Sequence, residues 1–65
     1  MEFRLNNMTC GGCARSVTKA IQAIDPHADV ATDPPTRIAR VRTSLSEDEI
    51  VSALRSAGYP PRESL

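Results

Sequence analysis

Residues 1–24, MEFRLNNMTCGGCARSVTKAIQAI, decide the fold because the spacing of their apolar side chains changes partway along the segment. At the beginning, polar residues alternate with apolar Met1, Phe3 and Leu5, and this period of two is typical of a strand with one buried face. Further along, apolar residues recur at helical spacing, at Ala14, Val17, Ala20, Ile21 and Ile24. The segment therefore predicts a strand over residues 2–6 and a helix that begins near Cys13.

A hairpin is predicted to follow this helix. The helix is expected to end by Asp25, because Pro26 cannot continue the hydrogen-bond ladder and biases the residue before it away from helical geometry. Residues 28–33 and 37–43 both alternate, and the two prolines and the threonine between them are a turn signal. In the second arm, Ile38 shares the water-facing side with two arginines, while the core-facing side carries Ala39, Val41 and Thr43.

A second helix has the clearest boundaries in the sequence. Ser46 and Glu49 form the capping box S-x-x-E, which is flanked by a hydrophobic staple, Leu45 and Ile50. Gly58 stands where a left-handed C-terminal cap is needed. The helix is therefore predicted over residues 46–57, with a buried stripe formed by Ile50, Ala53, Leu54 and Ala57.

The order of these elements predicts the fold class. A short last strand is placed at residues 59–63, and Pro60 and Pro61 confine it to an edge of the sheet. The order strand, helix, strand, strand, helix, strand predicts an α+β fold, a ferredoxin-like βαββαβ sandwich with a four-stranded antiparallel sheet and two helices on one face. A chain of 65 residues is expected to form one domain over residues 1–65.

Composition and charge argue against several classes of function. Eight basic residues balance eight acidic ones, so the chain lacks the positive field expected of a nucleic-acid-binding protein, and the same balance argues against binding to a membrane surface. The first ten residues contain charges and no apolar run that could act as a signal or insert into a membrane, which predicts a cytoplasmic protein. In a reducing cytosol, a cysteine pair more often binds metal or is catalytic than forms a structural disulfide.

The chemistry of the chain is concentrated in the loop between the first strand and the first helix. Cys10 and Cys13 have the Cys-x-x-Cys spacing, which brings two sulfurs within reach of one ion. Gly11 and Gly12 are expected to take positive φ and so expose the first thiol. The start of a helix favours thiolate over thiol for both cysteines. A low thiol pKa suits metal binding and redox exchange alike, so the spacing leaves both functions open.

The loop Met8-Thr9-Cys10-Gly11-Gly12-Cys13 resembles the M-x-C-x-x-C loop of heavy-metal-associated domains, and Ala57-Gly58-Tyr59 is similar to the A-G-Y ending of bacterial copper chaperones. The resemblance runs from Glu2 to about Pro60. It implies a metallochaperone without catalytic activity, in which Cys10 and Cys13 hold the metal and pass it by thiolate exchange to the soluble part of a P-type metal ATPase. A chain that begins with its own Met fits the freestanding chaperones of this family better than a module of an ATPase.

Copper(I) is the ion that a pair of thiolates suits. It is soft and accepts few ligands, so two cysteines can complete its site in a surface loop, with one ion per monomer. Zinc(II) prefers four ligands, and His27 is expected as an exposed turn residue about 18 Å of helix away from the loop. Silver(I) and mercury(II) satisfy the same logic as copper(I), and zinc(II) stays an alternative. The metal-free chain is expected to be a monomer, and a metal-bridged dimer stays open.

Other residues near the cysteines have more than one interpretation. Met8 has a soft thioether that can bind copper(I), but its place at the end of a strand favours packing in the core. Thr9 stands where zinc- and cadmium-handling relatives often carry a carboxylate. The fold is expected to bring Tyr59 beside the metal loop, so that either its hydroxyl shields the thiolates or its ring is part of the core.

The sequence also offers a candidate docking surface and two alternative functions. Arg15 and Lys19 are candidates for docking an acidic partner, and Arg15 can also offset the negative charge of a copper(I) bis-thiolate; otherwise both are solvated surface charges. A dithiol oxidoreductase would use the same cysteines, although the loop lacks the Trp and Pro typical of thioredoxin-like proteins. A metal sensor or regulatory domain is the third possibility.

Overall fold

The computed structural model describes residues 1–64, and of Glu63 and Ser64 it describes the backbone alone. Its elements, in chain order, are β1 (Glu2–Arg4), α1 (Gly11–Ile24), β2 (Asp29–Asp33), β3 (Ile38–Arg42), α2 (Glu47–Ser56) and β4 (Glu63–Ser64). Both arms of the predicted hairpin are present as β2 and β3. Among the described residues, neither helix has the length and apolar character that crossing a membrane requires. Leu65, the last residue of the predicted domain, lies outside the described residues.

The sheet is antiparallel, with the strand order β2-β3-β1-β4. Three strands form its body, because β3 pairs with β2 on one side and with β1 on the other, while β4 contributes two residues next to β1. The range 59–63 predicted for the last strand is wrong. Pro60 and Pro61 have no N–H to donate, and the chain first bonds to β1 at Arg62, whose N–H donates to the Arg4 carbonyl at 2.7 Å.

One apolar core lies between the sheet and the two helices. In the sheet, Phe3 of β1 lies opposite Ala39 of β3, and both side chains are fully buried. The helices add Ala14, Val17, Ile21, Ile50 and Leu54 to the same cluster. On the other face of the sheet, Arg40 and Arg42 are exposed as predicted, whereas Ile38 on the same face is half-buried. The Arg40 guanidinium forms an exposed ion pair with Glu2, with an Nε–Oε1 distance of 3.4 Å.

The buried apolar faces of α1 and α2 are narrower than predicted. Ile24, the last residue of α1, is 44% exposed, and Ala57, which follows the last residue of α2, is exposed as well. Ala20 and Ala53 are half-buried. These four residues line a shallow groove between α1 and α2 that opens to solvent. Small alanine side chains leave this groove unfilled, so the ends of the stripes contact water.

The caps of α2 are those that the sequence predicts. The Glu49 N–H donates to the Ser46 side chain at 3.2 Å, and the Ser46 N–H donates back to the Glu49 carboxylate at 3.4 Å. At the other end, Gly58 has a φ of 89°, which is the left-handed region that glycine adopts without steric cost. The direction of the chain at both ends of α2 is therefore set locally.

The capping box predicts a specific loss of stability. Ser46→Ala removes the oxygen that accepts the Glu49 N–H, and we expect it to lower the free energy of unfolding by about 1 kcal/mol, measured by urea denaturation of the metal-free protein. Ser52→Ala is the matched control, because Ser52 is exposed inside α2 and alanine is the better helix former there. The control should be at least as stable as the parent, and equal losses in the two variants would contradict the capping role.

Candidate metal site

Met8 anchors the base of the cysteine loop. β1 ends at Arg4, two residues before the predicted end, because the chain turns here and the Met8 N–H donates to the Leu5 carbonyl at 2.9 Å. The Met8 side chain is fully buried in the core cluster. Of the two interpretations of Met8, the structure supports core packing. The loop that carries the cysteines is therefore attached to the rigid part of the fold.

The first helix begins earlier than predicted. α1 starts at Gly11 instead of near Cys13, and Cys10 is its N-cap residue, with an extended backbone of φ −151° and ψ 174°. The Cys10 carbonyl accepts the Ala14 N–H at 3.0 Å and so closes the first helical turn. The expectation of positive φ at Gly11 and Gly12 is wrong, because both belong to this turn and neither has a positive φ. The Cys10 side chain makes no capping hydrogen bond. Cysteine is also not among the residues that usually cap a helix, so the sequence does not mark this helix start.

The two sulfurs face each other across the first turn of α1. Cys10 Sγ and Cys13 Sγ are 3.5 Å apart, and the Cys10 S–H donates to the Cys13 sulfur. Cys10 is exposed, whereas Cys13 is half-buried and packs against the core. With zinc–thiolate bonds as a guide, two metal–sulfur bonds of about 2.3 Å span at most about 4.6 Å. The two sulfurs are closer together than this limit, so both can bond to one ion.

The Cys13 sulfur accepts hydrogen bonds that stabilise its thiolate form. The backbone N–H of Thr9 has the largest effect, and the Tyr59 hydroxyl and the Cys10 side chain contribute as well. Together these donors lower the pKa of Cys13 to about 7, although desolvation acts in the opposite direction. Thr9 thus acts through its backbone. Near neutral pH, Cys13 is partly the thiolate, which is the form that binds soft metals.

Tyr59 reaches the cysteines from the segment after α2. Its ring is half-buried and packs against the core, and its hydroxyl donates to the Cys13 sulfur, a bond that raises the pKa of Tyr59. The ring of Tyr59 therefore belongs to the core, and its hydroxyl lies at the Cys13 sulfur. Each of the two interpretations describes one part of this side chain.

Two further residues of the site, Ser16 and Asn7, are missing from the candidates that the sequence analysis names. The Ser16 hydroxyl donates to the Gly12 carbonyl at 3.1 Å and also contacts the Tyr59 hydroxyl. The Asn7 side-chain amide donates to the Gly58 carbonyl at 3.3 Å and so connects the start of the loop to the residue before Tyr59. A serine four residues after a helical carbonyl is a known pattern for the first bond. The second bond joins residues 51 positions apart, and no local pattern indicates it.

The predicted docking residues lie together on α1. Arg15 and Lys19 are both exposed and line one shallow depression between α1 and β2. The Arg15 guanidinium points back toward the loop, with its Nη1 atom 3.9 Å from the position that a Cβ on Gly11 would take. His27 is exposed in the turn after α1, at the opposite end of the helix from the cysteines. Among the side chains that the structure describes, those of residues 1–62, no three of His, Cys, Asp or Glu are grouped so that they could hold a metal ion.

Fold and site together define a small α+β domain that presents a pair of thiols at the start of its first helix, one of them partly ionised near neutral pH. The model of the heavy-metal-associated domain matches residues 2–60. The chain belongs to this family, as the resemblance of its loop predicts.

Similar proteins include a transporter and two solved structures. Copper-transporting ATPase 1 of Rhizobium meliloti (strain 1021) is 33% identical over 63 residues, and the match covers 94% of this chain but 8% of the ATPase. A gold-binding protein has a TM-score of 0.95 at 53% identity, with 98% of each chain covered. The copper chaperone Atx1 from Synechocystis PCC6803 has a TM-score of 0.92 at 31% identity, with 95% of this chain and 98% of the chaperone covered. The likeness therefore extends over nearly the whole described fold.

The hydrogen bond from Tyr59 predicts a measurable effect on Cys13. Because the thiolate is the reactive form, the alkylation rate of Cys13 by iodoacetamide should rise with pH, with a midpoint at about pH 7. Tyr59→Phe removes a donor to the thiolate, so its midpoint should lie at higher pH and its rate at neutral pH should be lower. Mass spectrometry resolves the two cysteines, and Ser52→Ala on α2 is the control. An unchanged midpoint in Tyr59→Phe would contradict a role of the hydroxyl at the thiolate.

Proposed function

We propose that this chain is a carrier of one copper(I) ion, held as cargo between the Cys10 and Cys13 thiolates. The observation that carries the proposal is the pair of sulfurs, 3.5 Å apart, on a loop whose base is fixed in the core by Met8. Such a loop can bind a soft metal without rearranging the core, and it leaves the metal accessible for exchange. A carrier needs both properties and no catalytic group, so we propose no enzymatic activity.

The donor set favours soft metals that accept few ligands. Copper(I) prefers thiolates, and two of them are sufficient for it, whereas zinc(II) usually takes four ligands. Silver(I) and mercury(II) share the preference for sulfur. Gold(I) is a second candidate, because the similar gold-binding protein is 53% identical to this chain. Copper(I) remains the first candidate, since a copper chaperone and a copper-transporting ATPase are both similar to it.

We propose a P-type copper ATPase as the recipient of the metal. The chain resembles a short part of such a transporter, so that donor and recipient would present similar loops to each other. The exposed Cys10 allows a partner thiolate to enter before both donor thiolates leave, through a three-coordinate intermediate. Cys13 is held by hydrogen bonds from Thr9 and Tyr59 and is the ligand expected to remain fixed during the exchange.

Arg15 and Lys19 form the proposed docking surface for this partner. Both cations are exposed on α1, and the Arg15 guanidinium lies beside Gly11, between the two cysteines in sequence. A basic surface attracts an acidic partner surface and accelerates the encounter more than it strengthens the complex. Arg15 would also offset the net negative charge that two thiolates and one copper(I) ion leave at the site.

We also propose a cellular location and an oligomeric state for the carrier. We propose a cytoplasmic protein that forms a single domain over residues 1–65. The metal-free chain is proposed to be a monomer. Two loops that share one ion would form a metal-bridged dimer, which is the same arrangement that transfer to a partner requires.

The metal-binding proposal predicts a stoichiometry and two inactive variants. The reduced protein should bind one copper(I) ion per chain, measured against a chelator of known strength. Cys10→Ser and Cys13→Ser should each abolish tight binding, because one thiolate cannot complete the site, while His27→Ala should bind like the parent. Near-native affinity in the double cysteine variant would refute the proposal. Competition between metal ions in the same assay identifies the preferred ion. A preference for gold(I) over copper(I) would favour the second candidate, and a preference for zinc(II) would contradict a soft-metal carrier.

The docking surface predicts a change in transfer rate that depends on salt. Arg15→Glu should slow copper(I) transfer to the full-length ATPase at low ionic strength, and the difference from the parent should shrink as salt screens the charges. Arg42→Glu makes the same charge change on the exposed face of the sheet and is the matched control. If Arg15→Glu transfers copper at the parental rate at every salt concentration, the proposed docking surface is wrong, although the two-cysteine site would stand.

A further inference from the structure

Gly12 is a glycine that the folded chain itself does not require. Its backbone is helical and its φ is not positive, so the conformation does not demand glycine. Glycine is also a poorer helix former than alanine. Apart from adjacent residues and the backbone of the helix, the nearest atom that a Cβ at this position would meet is 3.8 Å away, which is an ordinary van der Waals distance. The fold therefore has room for alanine here.

The atom that this Cβ would meet is the sulfur of Cys10. A methyl group at that distance would touch the sulfur and cover part of its surface, although Cys10 is the exposed thiol of the pair. For Gly11, setting aside its chain neighbours, a Cβ would meet the Arg15 Nη1 atom at 3.9 Å, which is the flexible end of an exposed side chain.

We propose that Gly12 keeps Cys10 open to a second sulfur ligand and thereby sets the rate of metal exchange. This inference rests on the proposed function, in which Cys10 and Cys13 carry a soft metal. During exchange, a partner sulfur must come within a bond length of about 2.3 Å of the metal while the donor sulfurs are still attached. The bare backbone at Gly12 gives that sulfur room. The equilibrium affinity depends on the two metal–thiolate bonds, which a methyl group at position 12 leaves in place.

The first part of the test measures access to Cys10 without metal. Iodoacetamide and fluorescein iodoacetamide carry the same reactive group but differ in size, so the ratio of their rates at Cys10 is independent of how much thiolate is present. Gly12→Ala should lower the ratio of the bulky to the small reagent about fivefold, which corresponds to about 1 kcal/mol. Ser52→Ala on α2 should leave the ratio unchanged. An unchanged ratio in Gly12→Ala, or an equal fall in Ser52→Ala, overturns the proposal.

The second part measures exchange of isotopically labelled copper(I) between loaded and metal-free copies of the same variant. Donor and acceptor are identical, so a difference in affinity cannot drive the transfer. Gly12→Ala should exchange copper about fivefold more slowly, with the affinity measured against a competing chelator unchanged, and Ser52→Ala should match the parent. A parental exchange rate in Gly12→Ala, or a proportional loss of affinity, overturns the proposal. If the parent binds no copper(I), the carrier function fails, and the alkylation ratio still decides whether Gly12 opens Cys10.

Discussion

The attachment of the cysteine loop to the core is the constraint on which the site depends. Met8 is fully buried at one end of the loop, and Val17 and Ile21 of α1 are fully buried beyond the other end. Cys13, as the third residue of α1, therefore has a fixed position against the core, while Cys10 at the N-cap remains exposed. The same covalent spacing thus produces one anchored thiol and one accessible thiol. A carrier that must hold a metal and also release it needs this difference.

Hydrogen bonds from separate parts of the chain stabilise the thiolate form of Cys13 in the metal-free protein. The Cys13 sulfur accepts from the loop at Thr9 and from Tyr59, which follows α2. These donors are placed by the packing of the two helices against the sheet, and that packing consists of apolar side chains. The fold is therefore expected to form without metal, unlike domains in which metal binding provides the folding free energy. The metal can then enter and leave while the surrounding structure stays intact.

The elements that the sequence predicts correctly are those whose signals are local. The capping box of Ser46 and Glu49 and the glycine at position 58 define α2 because each acts within a few residues. The start of α1 was harder to predict, since Gly11 and Gly12 are typical of loops and Cys10 makes no side-chain cap. The position of the Tyr59 hydroxyl at Cys13 and the bond from Asn7 to Gly58 both depend on tertiary packing. Local patterns therefore identify the two cysteines as candidates but do not reveal which of them is anchored.

The nature of the metal ligands is the central claim, and X-ray absorption spectroscopy of the copper(I)-loaded monomer tests it most directly. If Cys10 and Cys13 alone hold the ion, the spectrum will show two sulfur neighbours and no nitrogen or oxygen ligand. A Met8→Leu variant should give the same spectrum, because Met8 is buried in the core and its sulfur is not a ligand. A third sulfur that disappears in Met8→Leu, or a nitrogen ligand in the monomer, would contradict the two-thiolate site.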